Sequence, residues 1–463
     1  MVGNIVISPA LQSVIVLTLG ALIVLLFTSS LTRNTLVLAT LGAVTLVVAA
    51  LPAVAAALPN ISVGGPTLAA TLVVVAAGIV GMLLLQSIEI HEESQKPEIA
   101  ALLLLGSAGG IVFATANDLL SAVIGLETLS LTGATLVALS RGTRPVEAAF
   151  KYFVLAAISA SVLLFGIGLV YLSTGSFNWP TLAAAEPAYR WLLLAGIMLV
   201  GLGFAYELAL VPLHFGSVDA YTAGAPGLAG YVMATSKVAA VIALSRLIGS
   251  LSQGLEVPQA LPLAGVLIVI GLISIIWGTF AALAQTELRR LLAYSAVANA
   301  GFLALALGCG ADGRAAAVFY VVTYSTTALL AFAALGGRGT GTLALSDIKT
   351  EGFGALRALA LVFALLSLAG IPPTPGFWVK LAVLDASWSS LGLWPTLIAA
   401  LGGVFGALYY LKPVPDLLSV VRAAGVRRLP SASAAVVLAG AVVIFGAAAP
   451  GLVYYLARMA TGS

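Results

Sequence analysis

The sequence predicts an all-α polytopic membrane protein of about fourteen transmembrane helices, and three observations carry that reading. First, 61% of the 463 residues are hydrophobic and only 8% are charged. A soluble domain carries about 25% charged residues, so these charges are too few to coat a water-facing surface. Second, apolar runs of about 20 residues recur from end to end, each long enough to cross roughly 30 Å of hydrocarbon. Third, five ionisable side chains, Glu127, Lys151, Glu207, Lys237 and Lys380, lie inside those runs. Each costs roughly 2.5–3.5 kcal/mol or more at mid-membrane, so such residues usually face the bundle interior and mark an ion or proton route.

The first three spans are expected near residues 14–28, 34–58 and 67–86. The N-terminus lacks the basic start of a signal peptide, so the first run reads as a permanent span. After a polar loop, residues 89–98, spans 4 to 6 are expected near 99–116, 118–139 and 146–172. Span 7, 191–213, contains Pro212, and span 8 covers 227–248. Spans 9 to 11 lie near 263–285, 291–307 and 315–335. Span 12, 357–388, is interrupted by Pro372, Pro373, Pro375 and Gly376, and spans 13 and 14 lie near 391–411 and 433–456. The connecting stretches are too short for a soluble domain.

Spans 7 and 12 are broken by proline, which removes a backbone donor and frees carbonyls. Lipid cannot satisfy such groups, so the breaks must face protein or a water-filled cavity. Broken helices at matching places suggest a five-span unit used twice, spans 4–8 and 9–13. A unit with an odd number of spans must invert on repetition, a design common in transporters. The bland alternative is that prolines simply kink membrane helices. The expected divisions are 1–98 (three helices), 99–250 and 251–412 (the two repeats) and 413–463 (a last span).

Loop charge sets orientation. Loops after odd-numbered spans hold Arg33, Lys96, Arg141, Arg144, Arg289, Arg290, Arg338, Lys349, Arg357, Lys412, Arg422, Arg427 and Arg428, against Arg190, Arg246, Arg314 and Arg458 opposite. That bias places both termini outside.

Glu127 sits mid-span in Leu126-Glu127-Thr128-Leu129-Ser130. A buried carboxylate prefers its proton unless a cation or donor is near, so Glu127 is either a proton carrier or half of a static ion pair. Lys237, in Thr235-Ser236-Lys237-Val238, has no polar run beside it. A desolvated lysine exchanges its proton more readily; here too a structural partner is the alternative. Lys380 follows the proline break, where hydration is plausible, or else reaches for the interface. Lys151 lies four residues after Glu147, a spacing that could simply stabilise a helix end. Glu207 precedes His214 by about two helical turns, with Pro212 between. His214 and Asp219 lie near the loop, and His214 relays protons only if water reaches it.

Other chemistries lack their residues. The single cysteine, Cys309, excludes an internal disulfide and a cysteine-held iron–sulfur cluster. With only His91 and His214, a buried haem or multi-histidine metal site is not expected. There is no Walker-type loop, no dinucleotide fingerprint and no Cys-x-x-Cys. The 49 glycines are spread through the spans, where they suit close helix packing better than phosphate binding. The net charge of +3 is scattered over short loops and is no argument for nucleic acid.

Several segments carry a specific resemblance. They are Ala116-Asn117-Asp118-Leu119-Leu120 leading into Gly125–Ser130; Glu147-Ala148-Ala149-Phe150-Lys151-Tyr152-Phe153; Val211-Pro212-Leu213-His214 with Asp219, Tyr221 and Gly224-Ala225-Pro226; Ser236-Lys237-Val238-Ala239; Leu288-Arg289-Arg290-Leu291-Leu292-Ala293-Tyr294-Ser295; and Leu366–Thr374 on to Lys380, then Tyr409-Tyr410-Leu411. From about Glu98 to Asp416 the chain resembles the N-type antiporter-like membrane subunits of NADH:quinone oxidoreductase, respiratory complex I. The N-type rests on the length and on Phe319-Tyr320 to Thr323-Tyr324, where sister subunits tend to carry histidines and a lysine.

The resemblance implies that Glu127 is the span 5 carboxylate, Lys151 the span 6 lysine, Lys237 the central lysine and Lys380 the exit-side lysine of a proton path driven by quinone reduction elsewhere. It implies a bacterial-type inner membrane, other complex I membrane subunits and lipid as partners, and NADH, FMN, iron–sulfur clusters and quinone held by those partners with no cofactor here. The chain also departs from the family. Glu207 stands where a lysine is usual, so an acid–base pair becomes two acids, for which sharing one proton is the cheap state. Asn299 replaces a common histidine, and Gly216 and Val218 replace a usual tryptophan and proline. The alternatives are a subunit of a multi-subunit cation/proton antiporter or membrane hydrogenase, and a structural subunit with a degenerate channel.

Overall fold

A computed structural model describes residues 8–31, 35–57, 61–88, 90, 92, 95–179, 182, 189–254, 257–336, 341–349, 354–423, 436 and 440. They form helices α1 (Pro9–Leu31), α2 (Thr35–Ala57), α3 (Ile61–Leu84), α4 (Lys96–Thr115), α5 (Leu119–Ala138), α6 (Thr143–Thr174), α7 (Arg190–Leu208), α8 (Phe215–Ala223), α9 (Pro226–Gly254), α10 (Val257–Leu283), α11 (Leu288–Gly308), α12 (Gly310–Leu335), α13 (Ala355–Ala369), α14 (Pro375–Leu391), α15 (Leu393–Leu411) and α16 (Val414–Ala423). Among the described residues there is no β-strand, only isolated bridges. Twelve helical segments there are long and apolar enough to cross a membrane. The expected span 12 is divided between α13 and α14. The expected span 14 lies outside the described residues except at Val436 and Gly440, as do Arg33, His91, Arg338, Arg427, Arg428 and Arg458.

A helix apolar on every side belongs in a core, and α9 occupies it: residues 226–245 are buried without a break. α11 and α12 are nearly as enclosed. The helices α1, α2, α6, α10 and α15 turn large apolar side chains outward, among them Leu26, Val44, Phe150, Phe165, Trp277 and Trp394. In lipid no hydrophobic force drives helices together, so close backbone packing must do so. Glycines provide it at α4 and α5, where a Cβ on Gly125 would lie 2.3 Å from the Phe113 backbone nitrogen.

Both proline-broken helices close in the same way. α7 ends at Ala209, in the left-handed region (φ 61°), whose N–H donates to Tyr206 O at 2.8 Å, while Leu210 N–H reaches back to Ala205 O at 3.3 Å. α13 ends at Gly370 (φ 79°), whose N–H donates to Ser367 O at 2.9 Å, while Ile371 N–H reaches Leu366 O at 3.2 Å. This left-handed closure is a common helix stop. It ends α7 at Leu208, short of the expected 213, so Glu207 and His214 are not two turns apart on one helix. Glycine is the residue that normally takes such a φ; alanine at 209 hides the stop from sequence inspection.

The connections fall at two ends of the bundle. At one, Ile90 bridges Ser140, Ser140 Oγ accepts from Ala225 N–H at 2.9 Å, and Arg289 donates to the carbonyls of Gly224 and Gly341. At the other, Asp118 bridges Asn178, and Arg246 donates to Ala114 O at 3.2 Å and to Asn117 Oδ1 while lying over Trp179. Several basic residues expected as loop charges are buried, Lys96, Arg289 and Arg314 among them, and Arg289 serves backbone carbonyls there. Arg246→Ala would leave the Ala114 carbonyl without its charged donor; we expect a loss of about 1–3 kcal/mol, read as a lower melting temperature of the solubilised protein.

Candidate functional site: buried charges at two broken helices

The first cluster forms where α5, α7, α8 and α9 meet. Asp118 caps α5, accepting from Ser121 N–H at 2.8 Å and Ser121 Oγ at 2.6 Å. That start sets the register that carries Glu127 and, three residues on, Ser130 toward α7. Ser130 Oγ donates to Glu207 Oε1, and Glu207 is 2% exposed. Glu127 Oε1 and Glu207 Oε2 are buried with no hydrogen-bond partner in the protein, and the two carboxyls lie within electrostatic reach of each other. Unpaired buried acceptors of this kind are places for ordered water.

Lys237, fully buried on α9, approaches the same point. Its Nζ donates to Leu208 O at 3.0 Å and stands 5.4 Å from the centre of the Tyr221 ring. Leu208 is the last residue of α7 and the neighbour of Glu207. The final carbonyls of a helix have no intrahelical donor and carry the negative end of its dipole, so they make a natural seat for an ammonium.

Lys380 repeats the arrangement at the other break. Its Nζ donates to Leu368 O at 2.7 Å and Ala369 O at 3.0 Å, the ends of α13, and lies 5.8 Å from the Phe302 ring centre. A small cavity with room for about one water opens beside it, lined in part by Asn299, Tyr320, Tyr324 and Ser367. Asn299 organises its wall: Nδ2 donates to Tyr410 Oη at 2.9 Å and to Ser295 O at 2.7 Å, and Oδ1 accepts from Tyr320 Oη at 2.7 Å. The position where the family resemblance implies a histidine is thus a neutral amide with its hydrogen bonds filled.

The remaining candidates lie elsewhere. Lys151 is on an exposed face of α6, paired with Glu147 at 2.7 Å and Asp219 at 3.2 Å, away from the buried row. His214 is 1% exposed at the start of α8; its Nε2 accepts from Trp277 Nε1 at 3.2 Å, and its Nδ1 is buried with no partner in the protein. Ser130, Tyr221 and Tyr410 belong to the polar interior, and Trp277, whose ring is half exposed, reaches it only through its Nε1; none of the four is among the site residues the sequence suggests. Ser130 was within reach, being one turn from Glu127 on the same helix. The others meet their partners over separations that no local pattern reveals.

Residues 116–406 match the family described as NADH:quinone oxidoreductase/Mrp antiporter, transmembrane. NADH-quinone oxidoreductase subunit N of Laribacter hongkongensis is 34% identical over 390 residues, covering 82% of this chain and 79% of that protein. A chain of respiratory complex I from Thermus thermophilus shares the fold with a TM-score of 0.78 at 28% identity, covering 96% of this chain and 99% of its own. A chain of the archaeal membrane-bound sulfane sulfur reductase superposes with a TM-score of 0.87 at 22% identity, covering 98% and 97%; at that identity the likeness is one of fold. The chain belongs to the NADH:quinone oxidoreductase/Mrp antiporter family of membrane subunits, in which its relatives include subunit N chains of NADH-quinone oxidoreductase.

Proposed function

We propose that the chain is the N-type antiporter-like subunit in the membrane arm of a proton-translocating NADH:quinone oxidoreductase. It moves protons along its buried row as quinone is reduced elsewhere in the complex. The observation that carries this reading is the pair of lysines, Lys237 and Lys380, each seated on the carbonyls at the end of a broken helix. Each ammonium rests on helix-end carbonyls and beside an aromatic ring and, among the described residues, makes no salt bridge, so it can give up its proton without breaking one. Glu127 and Glu207 then act as a two-acid relay holding one proton between them, in place of an acid–base pair. Lys151, paired at the surface, is the point of exchange with a neighbouring subunit or with water, and His214 is a relay beside the α7–α8 turn.

The same reading assigns fourteen spans in all, two inverted five-helix repeats within 99–250 and 251–412, a three-helix segment 1–98 and a last span in 413–463. The matched closures of α7 and α13 support the repeat. NADH, FMN, iron–sulfur clusters and quinone would be held by companion subunits in a bacterial inner membrane. A second reading, a structural subunit with a degenerate channel, draws support from the neutral Asn299 centre. A multi-subunit cation/proton antiporter is the remaining alternative, and companions decide it: the tagged chain is expected to co-purify with an NADH-oxidising, quinone-reducing assembly. Recovery only with exchanger subunits that reduce no quinone would overturn the assignment.

Orientation is tested separately. Arg141 is exposed at the basic end of the bundle, and the native Cys309 is buried. An Arg141→Cys variant should therefore react with a membrane-impermeant maleimide from the cytoplasmic side only. Labelling of intact cells from outside would reverse the topology.

A further inference from the structure

Between the two lysine centres stands an aromatic hydroxyl in an unusual state. Tyr324, on α12, lines the Lys380 cavity. It shares that lining with Asn299 and Tyr320, and on its other side it meets α9 at Met233, one turn before Lys237. It thus spans the gap between the halves. Yet its hydroxyl donates to neither side: the bond runs to the thioether of Met233, Oη to Sδ at 3.5 Å. Met233 stands one turn before Lys237 on α9 and is 1% exposed. A thioether is a weak acceptor with no proton to offer. A hydroxyl bonded to it is held out of any proton chain.

We propose that Met233 and Tyr324 form a gate between the Lys237 and Lys380 centres, closed while the Tyr324 hydroxyl rests on the Met233 sulfur. This inference rests on the proton-translocation reading above. Opening requires only rotation of a C–O bond. The hydroxyl then donates its proton toward the Lys380 cavity and accepts one from the Lys237 side, so the tyrosine ends neutral and one proton has passed. Because the closed state rests on a weak bond, the gate opens easily once a stronger acceptor, such as a water in the cavity, is presented. While closed, it keeps the two sides of the membrane from being short-circuited through the row.

The test uses the complete respiratory complex in proteoliposomes, with two variants and two readouts. Met233→Leu keeps the apolar bulk but removes the sulfur, so passive proton leak without electron input should rise by about fivefold, the factor that corresponds to losing a bond of about 1 kcal/mol. Tyr324→Phe removes the link, so leak should stay low while the number of protons pumped per electron falls. Leak unchanged in Met233→Leu, or an unchanged proton-to-electron ratio in an assembled Tyr324→Phe complex, overturns the gate. Lys237→Ala, measured alongside, separates the two ideas: if it stops pumping while both gate variants are silent, the gate alone fails, and if it too is silent, the proton path itself fails.

Discussion

Lys237→Ala is expected to slow proton transfer through this chain by about 100-fold or more, the scale on which positioned acid–base groups act, while quinone reduction is lost or becomes uncoupled from pumping. Lys237 is fully buried and seated 3.0 Å from Leu208 O, and in the proposed path it offers the central exchangeable proton. Alanine also strands that carbonyl and leaves a cavity, which by themselves would destabilise the site by about 1–3 kcal/mol. Lys237→Met fills the volume without supplying a proton and should fail equally, whereas Lys237→Arg restores the donor but holds its proton at all relevant pH values and should also fail. The measurement is lumenal acidification per quinone reduced in proteoliposomes. Wild-type acidification in an assembled Lys237→Met complex would remove Lys237 from the path and favour the structural-subunit reading.

The second large effect is expected at Gly376, where α14 starts against the end of α13. A Cβ there would sit 1.7 Å from Ser367 O, a backbone atom, and the Gly376 N–H donates to Ser367 Oγ at 3.2 Å. Gly376→Ala must push the two half-helices apart. Overpacking of this kind costs about 1–3 kcal/mol, sometimes more, and here it also drags Lys380, one turn further along α14, away from the Leu368 and Ala369 carbonyls. We expect a lower melting temperature of the solubilised complex together with reduced pumping. Wild-type values for both would show that the break has slack that the packing does not suggest.

Much of this was legible in the residues, for identifiable reasons. The spans follow from apolar runs whose length matches the membrane, and the break at Pro372–Gly376 follows from residues that cannot continue a helix. The burial of Glu207 and Lys237 follows from their place in the middle of long, largely apolar runs. The end of α7 was not legible, because Ala209 adopts a conformation for which sequence gives glycine as the usual signal. The exposure of Lys151 was half-legible: the Glu147 spacing marks a helix surface, but Asp219, its other partner, lies 68 residues away. The Asn299 centre shows the same limit, since Tyr410 joins it across 111 residues. Composition and periodicity report which face of a helix is greasy; they do not report which hydroxyl on another helix will complete a hydrogen bond.

Each central lysine is moored at a joint and not along a rigid strut. The oxygen atoms that keep Lys237 and Lys380 in place belong to the last turns of α7 and α13. A small tilt of either tip would change how firmly its lysine grips a proton, so mechanical displacement and proton affinity become one variable. A push delivered from a distant subunit would then need no dedicated wire to reach these sites, only a lever that ends on a half-helix.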